Sequence, residues 1–390
     1  MEESKNSPSI FQNTNLEAVE SKILVPIRFE ITTPQDTDHQ KGVWLAGSGP
    51  PLGYWEPKGL LLKRVQPNLY VREAMFLKGS LIFFKVTQGS WSTVEVDRFG
   101  YDIEDRALVV KEPATVSVQV ERFAKNGARA RPSTKDEHVV DLGWFGKNIL
   151  GENRLVQVHI PPDYEQHPGR FYPVVYMFDG QNLFDASIAF QGQEWAADKI
   201  HDQLYNEGKI RPFFIVGIHH ANQRDRFFTP IYDEKLGSGG KLDLLERVIR
   251  EEIEPALLGR YRVLAQAEHR GVMGSSLGGL AAFHLGWRYP ERYRLIGALS
   301  PSFWWANYYT FDLISSDTSP PRPLKIWLDM GTRESPYRHR PIITVSKVAH
   351  CLKEKGYDVR LYIDKDATHS ERAWRRRLPL VFTYFFGNSD

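Results

Sequence analysis

The hydrophobic pattern divides the chain in two. Between residues 23 and 123, short apolar runs alternate with polar positions and are cut by turn residues, as in ILVPIRFEIT, GVWLAG, LYVREAMFL, LIFFKVTQ and ATVSVQVERF. Side chains that alternate between core and solvent at this spacing predict strands of an all-β, immunoglobulin-like antiparallel sandwich of about 100 residues. Beyond residue 138 the rhythm changes. Continuous apolar runs (LVQVHIP, YPVVYMFD, FFIVGIHH, LIGALS, LKIWLDMG, VRLYID) now alternate with stretches of helical spacing such as EWAADKIHDQLYNEG, GKLDLLERVIREEIEPALLGRY and IITVSKVAHCLKEKG. Strands that are apolar on both faces, each followed by a helix, predict a mostly parallel sheet with helices on both sides. The expected organisation is a loose lead-in at 1–22, the β-sandwich at 23–123, a polar Gly- and Pro-containing linker at 124–137 (KNGARARPSTKDE) and an α/β domain at 138–390.

Within the second pattern, HRGVMGSSLGGLAAFHLGWRY places Gly274-Ser275-Ser276-Leu277-Gly278 between an apolar strand and a helix. That order is the nucleophile elbow of an α/β-hydrolase: a serine on a turn too sharp for a Cβ two residues before or after it. The turn exposes the Ser276 hydroxyl at a helix N-terminus, where the Leu277 amide can receive developing negative charge. A base should follow the last strand. Among the downstream histidines (His284, His339, His350 and His369), His369 in DKDATHSERAW occupies that place, whereas His284 and His350 fall within helices. The acid should follow the preceding strand, LKIWLDMGTRES. Glu334, on the loop, is favoured over Asp329, embedded in the strand, and over Asp366, just before the base. A second oxyanion amide is expected after an early strand, and the turn in MFDGQNLFD offers Gln181.

Composition narrows the classes. Fifty basic and 48 acidic residues leave a net charge of +2, which argues against nucleic acid or an anionic membrane as partner. The single cysteine, Cys351, excludes an intramolecular disulfide framework and reads as a buried helical thiol. No run reaches the roughly 20 apolar residues of a membrane span. The opening MEESKNSPSIFQNTNLEAVE lacks the apolar core of a secretory signal, so a cytoplasmic location is expected. His219 and His220 are neighbours on a strand and point to opposite faces, so no metal site is expected there. Nothing matches a nucleotide-binding glycine fingerprint, and no cofactor is expected.

With these residues placed, about 250 C-terminal residues resemble the Putative esterase family of α/β-hydrolases, which includes enterochelin esterase, esterase D and carbohydrate esterase family 1 feruloyl esterases. The motifs YPVVYMFDGQNLFD, IVGIHHANQRDRFFTP, MGSSLGGLAAF, ALSPSFWW, WLDMGTRES and DATHSERAW occur in the family's order. The resemblance implies a Ser276, His369 and Glu334 triad with Leu277 and Gln181 as oxyanion amides. The chain departs from the family at Gly217-Ile218-His219 and at Phe178-Asp179, which bears on the substrate pocket. Trp304, in SPSFWW, and Arg224, in ANQRDRFFTP, are candidate substrate contacts. Arg375, Arg376 and Arg377 read as the wet side of the last helix.

Residues 24–123 look like a starch- or glycogen-binding module. That resemblance implies Trp55 and Trp91 as stacking platforms for glucose rings and Lys85 as a hydrogen-bond donor to sugar hydroxyls, with an α-glucan or other carbohydrate as partner. The expected activity is a cofactor-independent serine esterase acting on a sugar- or glucan-associated ester through an acyl-enzyme. An acyltransferase with the same triad and a non-catalytic glucan-binding protein are the alternatives.

Overall fold

The computed structural model describes residues 23–334 and 340–388; the lead-in expected at 1–22 and His339 lie outside the described residues. In the N-terminal part, Leu24–Thr32 shows what alternation does. Val25, Ile27, Phe29 and Ile31 turn inward while Arg28 and Glu30 face out. This strand lies between Leu69–Leu77 and Ala114–Gln119 in a four-stranded sheet completed by Lys63–Gln66. The pairing with Ala114–Gln119 is parallel, a departure from the wholly antiparallel expectation. A second four-stranded sheet joins Leu60–Leu61, Trp44–Gly47, Leu81–Thr87 and Arg106–Val109. The apolar faces meet around Phe29, whose ring stands edge-on to Phe84 at 5.3 Å and to Phe76 at 6.0 Å.

The C-terminal part is an α/β-hydrolase fold. Eight strands, β1 (Val139–Phe145), β2 (Arg154–His159), β3 (Val174–Phe178), β4 (Phe214–Ile218), β5 (Arg270–Ser275), β6 (Leu295–Leu299), β7 (Lys325–Arg333) and β8 (Asp358–Thr368), form one sheet in the order β1-β2-β4-β3-β5-β6-β7-β8. The pairings β1–β2 and β2–β4 are antiparallel and all later ones parallel. Every residue of β3, β4 and β6 is buried, because helices cover both faces.

One face carries α2 (Leu242–Val248, continued by a π turn to Leu258) and α3 (Leu277–Arg288), whose Leu245, Val248, Ala281 and Leu285 pack on Val216 and Val272. Toward the β7 end the same side is closed by α4 (Trp305–Ser316) and α5 (Arg340–Glu354). The other face carries α1 (Ala197–Asn206) and α6 (Glu371–Phe386), with Trp374, Leu378 and Phe382 on Val175, Met177 and Ile215. Cys351 is only half-buried on α5. Among the described residues no helix is long and apolar enough to cross a membrane.

The polar segment at 124–137 is tied down at several points. Arg131 Nη2 donates to the Asp102 carbonyl at 3.0 Å, Ser133 Oγ to Asp185 at 2.8 Å, and Thr134 Oγ1 to Glu194 at 2.7 Å. Its polarity serves contacts to both parts of the chain.

Candidate active site

The end of β5 meets the start of α3 at Ser276, whose backbone sits at φ 56, ψ −120. A serine reaches this region only when its surroundings enforce it. The enforcement is visible in the glycines: a Cβ on Gly274 would lie 2.6 Å from the carbonyl carbon of Gly278. The Ser276 amide donates to the Leu299 carbonyl at 3.0 Å, and its hydroxyl lies 3.3 Å from that of Ser302. Leu277 is the first residue of α3, so its amide has no acceptor within the helix.

The second oxyanion candidate lies on the turn after β3. Asp179 is left-handed (φ 58, ψ 45), and a Gly180–Asn182 turn follows. This turn presses on β4 so closely that a Cβ on Gly180 would lie 2.5 Å from the Gly217 carbonyl carbon. Arg224 braces it, donating from Nε and Nη2 to the two Asp179 oxygens at 2.7 and 2.6 Å. The Gln181 side chain accepts from the His220 amide at 3.2 Å.

His369 follows β8, just before Ser370 caps α6 by accepting from the Ala373 amide. Its ring stands edge-on to Trp374, with centroids 4.9 Å apart. Nδ1 lies 2.9 Å from Glu334 Oε2. An ionised carboxylate only accepts, so Nδ1 carries the proton and Nε2 keeps its lone pair.

Of the three carboxylates weighed for the acid, Glu334 is the one in contact with His369. Asp329 is fully buried and receives Arg377, the Trp327 indole N–H and the Ser300 amide; Asp366 pairs with Arg333 at 2.9 Å. Glu334 Oε1 accepts from Ser300 Oγ (2.6 Å), Arg377 Nη2 (3.0 Å) and the Gly331 amide. Burial pushes the Glu334 carboxyl up, but the hydrogen bond and charge of His369, with Arg377 and Ser300, outweigh it and hold the group below the usual range. Burial pushes Asp329 up to about 6 despite the Arg377 charge.

Other candidates separate. Trp304 is 49% exposed while its neighbour Trp305 is buried, with its indole N–H donating to the Ile231 carbonyl. In the N-terminal part, Gly53, Tyr54 and Trp55 are consecutively left-handed (φ 73, 49 and 70), with Tyr54 exposed and Trp55 half-buried. The Trp55 and Trp91 rings lie 6.4 Å apart at 37°, and Trp91 is 42% exposed. Lys85 is buried, with its ammonium 2.5 Å from Asp102 and 3.8 Å from Asp105.

Sequence reasoning passed over Ser300, Ser302 and Arg377. The last was placed on the wet side of α6, yet it is 1% exposed. A signal was present: buried Ala373, Trp374, Leu378 and Phe382 repeat at helical spacing, and Arg377 falls on their stripe.

Among the described residues one group could hold a metal by proximity: His159, His201 and Asp202, whose ligand atoms lie within 4.8 Å of one another. The Phe213 amide donates to His201 Nε2 at 3.1 Å, so Nδ1 bears the ring proton and gives it to Asp202 at 2.8 Å. A metal would need that same lone pair. His159 Nε2 approaches the same Asp202 oxygen at 3.1 Å. His219 contacts Gln157 in the interior, and His220 turns outward to the Ala221 carbonyl.

A model of the Putative esterase family matches residues 147–384. The uncharacterized protein YbbA of Bacillus subtilis is 25% identical over 249 residues, covering 61% of this chain and 94% of that one. The endo-1,4-beta-xylanase/feruloyl esterase of Xylanibacter ruminicola is 25% identical over 240 residues, 60% of this chain but 29% of that longer protein. The iron(III) salmochelin esterase of Escherichia coli is 29% identical over 234 residues, 53% of this chain and 51% of its own length. Among solved structures, the enterobactin esterase FES of Shigella flexneri aligns over 93% of both chains with a TM-score of 0.58 at 15% identity, a likeness of fold.

Proposed function

This chain belongs to the Putative esterase family and is a carboxylic ester hydrolase, and from that premise we propose that Ser276, His369 and Glu334 act as nucleophile, base and acid. His369 Nε2 takes the Ser276 proton as Oγ attacks the ester carbonyl. The imidazolium so formed is stabilised through Nδ1 by Glu334. The Leu277 and Gln181 amides receive the oxyanion, the alcohol leaves with the proton from His369, and water then hydrolyses the acyl-enzyme. The observation that carries this reading is the 2.9 Å contact of His369 Nδ1 with Glu334, whose carboxyl is held below its usual range, together with the strained backbone of Ser276.

The substrate in this proposal is a sugar- or glucan-associated ester. Its support is the Trp55 and Trp91 pair: one indole on a strained left-handed turn and its neighbour on a short 3-10 turn suit the apolar C–H face of pyranose rings. Two measurements test the reading. Ser276→Ala should abolish hydrolysis of short-chain p-nitrophenyl esters, and full retention of activity would refute the mechanism. Trp55→Ala and Trp91→Ala should lose retention on amylose or glycogen, and unchanged retention would remove the glucan.

A further inference from the structure

We infer that Arg377 is a positioning residue for this site, clamping Glu334 so that one carboxylate oxygen stays turned to His369. The inference rests on the Ser276–His369–Glu334 reading. Arg377 sits two turns along α6 from His369, and its guanidinium gathers the carboxyl ends of three strands. Nη1 donates to Asp329 Oδ1, within β7, at 2.6 Å and to Ser300 Oγ, just beyond β6, at 2.8 Å. Nε donates to Asp364 on β8 at 3.0 Å, and Nη2 donates to Glu334 at 3.0 Å. A planar fork with five donors can hold three carboxylates at once, and a lysine ammonium cannot match that geometry. At 1% exposure such a charge is tolerable because each of its three nitrogens donates to an acceptor, and three of the acceptors are carboxylates.

The clamp acts on Glu334 selectively. Oε1 is taken by Arg377, Ser300 and the Gly331 amide, which leaves Oε2 for His369. Glu334 cannot rotate without breaking three bonds. The electrostatics work the same way. Three buried carboxylates, Asp329, Glu334 and Asp364, face Arg377, with Arg376 as a second cation on Asp364 and His369 beside Glu334. One negative charge is in excess, and burial pushes the fully enclosed Asp329 up to about 6 although it accepts from Arg377, Trp327 and Ser300. Glu334 is held low and stays anionic to orient the imidazole.

The test compares wild type, R377M and R377K by fluorophosphonate labelling of Ser276, by kcat and KM on a p-nitrophenyl ester from pH 5 to 9, and by thermal unfolding. R377M should lower kcat about 10- to 100-fold with KM within about twofold, the loss expected when a catalytic group is misplaced by an ångström. Losing the cation leaves the surroundings of His369 more negative and favours the imidazolium over the free base, so the acid limb of kcat/KM should move about one pH unit upward. R377K, with the charge but not the fork, should return the limb toward wild type while kcat stays low. A folded R377M with wild-type labelling rate and acid limb overturns the inference, as does a loss that follows Tm alone with the limb unmoved. Should R377M fail to fold, R377K decides: lowered kcat at unchanged KM supports the clamp, and wild-type kcat overturns it. Wild type that resists the probe removes the serine-hydrolase reading and this inference with it, and is distinct from a failure seen only in the variants.

Discussion

Replacing Glu334 by glutamine should damage catalysis more than removing the side chain altogether. The reason lies in which donors meet each oxygen. Oε1 faces three, from Ser300, Gly331 and Arg377, while Oε2 faces only His369 Nδ1. A glutamine amide has one accepting atom and one donating group. Placing its NH2 at Oε1 would set it against all three donors, one of them a buried cation, so the amide settles with oxygen at Oε1 and NH2 toward His369. Nδ1 must then accept, and the ring proton moves to Nε2, the atom that has to take the Ser276 proton. A histidine held in the wrong tautomer costs about 10⁴-fold in kcat, or about 5 kcal/mol of barrier. Alanine imposes no tautomer and should lose less. The assay is kcat/KM on a p-nitrophenyl ester for wild type, Glu334→Gln and Glu334→Ala, with Ser276→Ala as the floor and thermal unfolding as control. A glutamine variant within tenfold of wild type, or one more active than the alanine variant, would refute this reasoning.

Gly274→Ala should abolish activity and lower Tm, since its Cβ meets the Gly278 backbone at 2.6 Å; retained turnover would mean that the elbow can open without penalty. Lys85→Met should destabilise the N-terminal part by about 2–3 kcal/mol in urea, at the low end for a broken buried pair because Asp102 and Asp105 are only partly buried, and amylose retention by the folded protein should persist. Retention lost at full stability would assign Lys85 a sugar-binding role. Burial, reinforced by Asp179, pushes the Glu371 carboxyl up to about 7 beside the site. An acid raised in the fold contributes stability at low pH that is lost as pH climbs from its unfolded value near 4.5 toward 7. Glu371→Gln, neutral throughout, should therefore gain about 1–3 kcal/mol on wild type between pH 5 and 8, and an unchanged difference in urea stability would contradict the shift.

Much of this was legible in the chain because it follows from periodicity and chain order. Continuous apolar runs alternating with helical spacing define a covered parallel sheet, and a Gly-flanked serine between strand and helix has few other uses. Separating Glu334 from Asp329 needed only the argument that a strand side chain projects into the packing, and Asp329 is indeed enclosed there. The linker was harder to read. Polar, Gly- and Pro-containing sequence describes a solvated tether and a hydrogen-bonded strap equally well, and Ser133 and Thr134 find their acceptors in Asp185 and Glu194, more than 50 positions away.

The surroundings of Lys85 and Arg377 were hidden from the sequence for one physical reason. Each is a cation among apolar neighbours, and a pattern argument assigns a charge to the solvent face by default. In LIFFKVT nearly every position is buried, so there is no alternation to tell which side Lys85 takes. On α6 the stripe runs directly through Arg377. Burying a lone charge is too costly to occur, so a cation that interrupts an apolar stripe implies carboxylates converging on it from elsewhere in the fold. Lys85 has two and Arg377 three. Those partners are distant in sequence, which hides the arrangement from any local reading. The interruption itself is local, and at Arg377 it points to the acid that faces His369.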